Sequence, residues 1–259
     1  MNYLQRYEAG EYRVWDELVE SASEMSSNPE LKAQTVAVAE ALMTRVRTNV
    51  NTLRNTLITA GASLAEPGKP LEPTEFAFLT ERFGPLPLAL DVFYRTIGSI
   101  SFAPAEDYDY GTVTLEQTDG VSLIALDPLI VEPASIFDFL VEEFDDNDAD
   151  EPFELYLCAD FLHKQNISGG MPYSIQLPPN SPQDTVDPSV LWERNDLSFV
   201  SYLRYCFKWG GFPGLDVCES DDDSAIDLNW RIGFEEVRGP WRPAYQRLVG
   251  ALREDLIEF

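Results

Sequence analysis

Lysine and arginine are absent from one long stretch of this chain. None occurs between Arg95 and Lys164, although that window holds 17 Asp and Glu. The whole chain carries 18 basic against 45 acidic residues, a formal charge of −27, so the window supplies 17 of the 27 excess negative charges. Charge of one sign gathered in one stretch attracts a basic partner over roughly 10 Å at moderate salt and repels nucleic acid. The chain also lacks a basic patch with interleaved aromatics, which counts against nucleic-acid binding.

Cysteine and histidine are scarce. Cys158, Cys206 and Cys218 are an odd number without C-x-x-C spacing, so they fit neither a disulfide framework nor a zinc site. Cys206 falls in an aromatic helical pattern and reads as a small core residue. His163 is the single histidine, so a Ser-His-Asp or Cys-His enzyme would have to use it. No apolar run approaches the ~18–20 residues that span a bilayer, and no membrane association is expected. The opening MNYLQRYEAGEYRVW is polar and charged, unlike a signal peptide, which makes the cytoplasm the expected location. Without a secretion signal the sequon Asn166-Ile167-Ser168 carries no weight. The phosphate-binding strings G-x-x-x-x-G-K-[ST] and G-x-G-x-x-G and the nucleophile elbow G-x-S-x-G are all missing, against nucleotide binding and α/β-hydrolase chemistry. No cofactor is expected.

What is present is a globular texture, 44% apolar and 12% aromatic, too rich in aromatics for a disordered acidic chain. Residues 1–62 read as a helical hairpin. Asn28-Pro29 is a helix start, and Leu42, Val46, Val50, Leu53 and Leu57 follow at steps of four and three before Gly61. Some thirty residues make a rod of roughly 48 Å. A single shorter helix bearing Leu4, Tyr12, Trp15, Leu18 and Val19 is predicted before it. Residues 63–75, rich in proline and glycine, read as a linker.

Residues 76–259 mix short helices and strands. The pattern predicts a helix over Leu88–Thr96 and strands near Ser99–Phe102, Gly111–Glu116, Val121–Leu126, Phe153–Cys158 and Tyr173–Leu177. A helix starts from Pro133 with Ile136, Phe139, Leu140 and Phe144 on one side. Another is capped by Asp196 and carries Phe199, Val200, Leu203 and Phe207. A last one follows Trp241, Tyr245, Leu248, Leu252 and Leu256. Strands in the middle with helices before and after predict an α+β fold with a mostly antiparallel twisted sheet flanked by helices.

The segment Leu86-Pro87-Leu88-Ala89-Leu90-Asp91-Val92-Phe93-Tyr94-Arg95-Thr96-Ile97-Gly98-Ser99 resembles the opening motif of the SUKH superfamily: a Leu-Pro, an amphipathic helix with an aromatic, and a Gly-Gly-like end. Ser99 stands where the family has its second glycine, and Ala159-Asp160 occupies the place of a later "PD"-like element. The resemblance covers about residues 75–215. It implies a twisted sheet flanked by helices and a role in binding another protein, in bacteria commonly a toxin neutralised by its immunity protein. It transfers no catalytic residues.

Three constellations invite chemistry. Asp160, His163, Asn166 and Tyr173 surround a loop with Gly169-Gly170 and read either as a ligand or hydrolase site or as a capped turn leading into a strand. The run Glu142, Glu143, Asp145, Asp146, Asp148, Asp150 and Glu151 has the alternating start of an EF-hand, but that loop needs glycine at its sixth position and glutamate at its twelfth. Glu151 and Leu157 stand there, so no metal is expected and the run reads as a solvated loop or a docking surface. Trp209-Gly210-Gly211-Phe212-Pro213-Gly214 reads as a helix stop whose aromatics pack on the core.

The reading that these features favour is a non-enzymatic protein-binding module. Glu142, Glu143, Asp145, Asp146, Asp148, Asp150 and Glu151 would steer a basic protein, of which a nuclease-type toxin is one kind. The alternative is a hydrolase or small-ligand protein centred on Asp160, His163, Asn166 and Tyr173. A DNA mimic ranks below both, because its carboxylates should be spaced regularly and these are clustered.

Overall fold

Gly10, at a φ of +97° that residues with a β-carbon rarely adopt, divides the N-terminal segment. The computed structural model describes residues 2–103, 127–132, 136–146, 152–160, 164, 170–218 and 242–259. Within these, the single short helix expected before residue 28 is two helices, α1 (Tyr3–Glu8) and α2 (Val14–Glu20). Tyr7 and Trp15 are buried against the long helix α3 (Pro29–Thr59). Asn28 caps α3 as predicted, its side chain accepting from the Leu31 amide at 3.1 Å. Leu42, Val46, Val50, Leu53 and Leu57 form its buried stripe.

The chain then runs alongside residues 94–103. Ala65 donates to the Ala103 carbonyl at 3.2 Å and Leu71 to the Tyr94 carbonyl at 2.9 Å. Gly98 makes this path passable: its φ is +88°, and a β-carbon there would lie 1.9 Å from the Lys69 carbonyl oxygen. Helix α4 (Pro73–Phe83) begins inside the stretch read as linker, with Glu72 and Glu75 exchanging side-chain and backbone hydrogen bonds at its start. Helix α5 (Leu88–Thr96) has the predicted bounds and buries Leu90, Phe93 and Tyr94.

The fold is α+β. Strand β1 (Ile100–Ser101) pairs antiparallel with β2 (Ile130–Val131), which the sequence pattern did not single out. Helix α6 (Ile136–Asp146) follows. Strands β3 (Phe153–Cys158) and β4 (Tyr173–Leu177), both at the predicted bounds, form a second antiparallel ladder. The strand candidates Gly111–Glu116 and Val121–Leu126 lie outside the described residues. Helices α7 (Phe199–Lys208) and α8 (Arg242–Arg253) complete the described α-helices.

Asp196 does not cap α7. It sits two residues too early, in a turn with φ of +52°, while Ser198 occupies the cap position without a side-chain cap bond. The acceptor comes from Asp187, whose carboxylate takes the Val200 amide at 2.9 Å and the Ser198 hydroxyl at 2.8 Å. The same group accepts the Trp15 indole N–H at 2.9 Å, joining α2 to α7. Trp209 and Phe212 are buried, as the helix-stop reading predicts. One hydrophobic cluster takes in Leu18, Val46, Phe93, Leu155, Phe199 and Leu248. No helix among the described residues is long and apolar enough to cross a membrane.

Candidate interaction surface

The predicted acidic run divides between α6 and residues outside the description. Leu140 is buried and Phe144 packs edge-on against Phe83 and Phe153, with centroids at 5.1 and 5.0 Å. This anchoring turns Glu142, Glu143 and Asp145 outward, where all three are exposed. Asp145 pairs with Arg82 of α4, whereas Glu142 and Glu143 pair with no cation among the described residues. Asp146 closes the helix, and Asp148, Asp150 and Glu151 lie outside the described residues.

Carboxylates at this end of α6 oppose the helix. The last turn contains no basic residue, and a helix C-terminus carries partial negative charge that disfavours each nearby anion by about 0.3–1 kcal/mol. Helix stability therefore does not account for them.

The outer face of the β3–β4 ladder continues this surface. Strand alternation sends Phe153, Leu155 and Leu157 into the core and leaves Glu154 and Tyr156 half-exposed. Glu154 lies opposite Gln176 and Tyr156 opposite Ser174. Burial raises the Tyr156 phenol's pKa, and the carboxylates of Glu143 and Glu154 add to that rise.

Above them stands Trp192, a residue that sequence reasoning did not select. It is 54% exposed and has a φ of +65°, a left-handed backbone costing a residue with a β-carbon about 1–2 kcal/mol. Its indole N–H donates to Glu154 Oε2 at 2.8 Å, and the Ser174 hydroxyl donates to the same oxygen at 2.6 Å. A β-bridge between Leu191 and Ser174 holds the preceding backbone on the edge of β4. Strain and hydrogen bonding together keep a large indole in solvent in one orientation. Met171, before β4, is likewise exposed. The turn residues Asn195-Asp196 mark a loop here, but nothing in the string Leu191-Trp192-Glu193 reveals exposure.

The second predicted constellation is partly described. Tyr173 is 2% exposed and packs edge-on against Tyr202 at 6.0 Å. Burial raises its pKa well above the usual tyrosine value. Its ring belongs to the core. Asp160 is buried, its carboxylate beside Gly170, where a β-carbon would come within 2.2 Å of Oδ1. His163 and Asn166 lie outside the described residues.

Beside Tyr173 the structure places a buried ion pair that no motif announced. Lys164 Nζ lies 2.7 Å from Asp127 Oδ1, with side-chain exposures of 0% and 4%. Burial works against the ammonium, yet the attraction and hydrogen bond of Asp127 prevail and its pKa is raised. The neighbouring Cys158 thiol is pushed by burial up to about 12, and Cys206 moves in the same direction. Both thiols are protonated at neutral pH and so lack the thiolate that nucleophilic attack needs. This cluster is an internal electrostatic tie.

Comparison with protein-family models, curated proteins and solved structures finds no match to this chain.

Proposed function

We propose that this chain is a non-enzymatic protein-binding module that docks a basic partner on the face formed by the end of α6, Glu154, Tyr156 and Trp192. The observation that carries the reading is Trp192: an exposed indole, in a strained backbone conformation and hydrogen-bonded to Glu154. Backbone strain persists where the surroundings enforce it, and a solvent-facing tryptophan contributes little to folding. Tryptophan and tyrosine are enriched among residues that dominate binding energy, and an arginine or lysine is attracted to an indole face by about 0.5–2 kcal/mol. Glu142 and Glu143, exposed on α6 and paired with no cation among the described residues, supply long-range attraction for the same cations. The finer reading, an immunity protein that neutralises a cationic toxin domain, rests on the SUKH-like segment Leu86–Ser99 and on the −27 charge. Tyr173, buried in the core, gives no support to a hydrolytic site.

A photo-crosslinker placed beside Trp192 in the intact cell identifies the partner, and association kinetics with the pure pair test the mechanism. Glu142→Gln, Glu143→Gln and Glu154→Gln together should slow association about tenfold at low salt and flatten its salt dependence. An unchanged rate and slope overturn the proposal.

A further inference from the structure

A second groove, sharing no residue with the acidic face, already holds a peptide segment. After α8 the chain leaves helical geometry, and residues 257–259 lie against α3 and α7, each carbonyl from Ile257 onward captured by a side chain of those helices. Asn49 Nδ2 donates to the Ile257 carbonyl at 2.8 Å while Asn49 Oδ1 accepts the Ile257 amide at 2.9 Å. Arg45 donates to the Glu258 carbonyl at 3.2 Å, and Arg204 Nε donates to the Phe259 carbonyl at 2.9 Å. Specificity comes from one pocket: the Phe259 ring is buried edge-on against Phe207, centroids 5.6 Å apart. Main-chain groups held by fixed donors and acceptors, with one side chain in a pocket, is how extended peptides are recognised.

Two further observations indicate a site rather than a mere stop. Asn49 is 1% exposed in the buried stripe of α3, where an amide is costly unless satisfied. Its amide oxygen and nitrogen are both spent on the backbone of residue 257, a contact that reads no particular side chain there. Second, a cavity of about 530 Å³ beside the segment, walled in part by residues 256–259 themselves, brings Arg13, Arg204, Lys208 and Arg253 together against the acids Asp16 and Glu258 in a chain with only 18 basic residues. Arg204 is committed to Asp16 at 3.0 Å, while Arg13 and Arg253 are exposed and pair with no carboxylate among the described residues. A positive rim on so acidic a molecule selects anionic ligands.

We infer that this groove is a docking site for an extended peptide of a partner protein, acidic and aliphatic and closing on an aromatic side chain, and that Leu256–Phe259 is its built-in competitor. Release of the segment opens the site, and capture of the partner peptide keeps it open.

The test uses the full chain and two fluorescent peptides, Asp-Leu-Ile-Glu-Phe and Asp-Leu-Ile-Glu-Ala. Phe259→Ala, which empties the aromatic pocket, should bind the Phe peptide at least tenfold more tightly than the unaltered chain does, and at least tenfold more tightly than it binds the Ala peptide. Adding Asn49→Ala should cancel that gain. Equal binding of the two peptides, or no gain from Phe259→Ala, overturns the inference. Should Phe259→Ala fail to fold, hydrogen exchange on the unaltered chain decides. Excess Phe peptide should speed exchange of the Ile257 amide while leaving α3 amides unchanged. An Ile257 amide as protected as α3 and indifferent to peptide overturns it, as does exchange of the segment between two copies, seen as a dimer, without peptide binding.

Discussion

The indole N–H of Trp15 donates to the buried carboxylate of Asp187 at 2.9 Å, across 172 positions of sequence. That carboxylate also receives the Ser198 hydroxyl and the Val200 amide, so one acid ties the N-terminal helices to the start of α7. Asp187→Ala should cost about 3 kcal/mol, since it orphans buried donors. Urea unfolding followed by tryptophan fluorescence measures it, and a loss under about 1 kcal/mol would show the tie to be unimportant. Burial raises the Asp187 pKa, with the three hydrogen bonds opposing that rise. A carboxyl whose folded value exceeds its unfolded value, about 3.9, binds more protons when folded, so its contribution to stability falls as pH rises through the interval between the two. The stability gap between the unaltered chain and Asp187→Asn should therefore narrow from pH 4 upward. A constant gap contradicts the assignment.

Lys164 and Asp127 should behave as a coupled pair. Lys164→Met leaves a buried carboxylate alone and should cost about 3–5 kcal/mol. Lys164→Met with Asp127→Leu should recover most of the loss, and a double-mutant cycle reads the coupling directly. The folded lysine pKa is raised, so the pair's contribution is fully present below the unfolded value of about 10.4 and disappears only as pH climbs through the folded one. Additive single effects would refute the pairing.

Cys158 and Cys206 should resist alkylation in the folded protein. Both are fully buried and their thiols are shifted upward by burial, Cys158 to about 12. Brief iodoacetamide treatment at pH 8, followed by peptide mass mapping, should leave both unmodified, and the same treatment in denaturant should label both. Rapid labelling of Cys158 in the native state would reopen a catalytic reading for that thiol.

Trp192→Gly separates binding from folding. It relieves the left-handed backbone, worth about 1–2 kcal/mol, and removes the exposed ring. Stability should stay within about 1 kcal/mol of the unaltered chain or rise, while affinity for the basic partner falls at least tenfold. Thermal unfolding and titration calorimetry measure the two effects. A variant that binds normally would end the role given to this residue.

Local pattern carried much of the fold. The Asn28-Pro29 cap, the apolar stripe of α3, the bounds of α5, β3 and β4, and the turn at Trp209–Phe212 all follow from neighbours within a few positions. Where contacts are distant, local reading missed. Asp196 looked like the cap of α7 because aspartate before an aromatic helix is the usual signal, but Asp187 delivers the acceptor from the preceding loop. The break between α1 and α2 is not legible in the sequence, because Gly10 alone does not disclose its backbone angle.

The candidate surface divides the same way. Charge is a property of composition, so the acidity around Glu142, Glu143 and Asp145 was legible before any coordinates, as was the scarcity of cations. Exposure and convergence are not compositional. Only folding turned Trp192 outward onto Glu154, sank Tyr173 into the core, closed Lys164 on Asp127, and laid residues 256–259 across Asn49. The chain's residue types determined which charges and rings it has, and packing decided which of them reach solvent together, because burial and hydrogen-bond geometry depend on residues far apart in sequence.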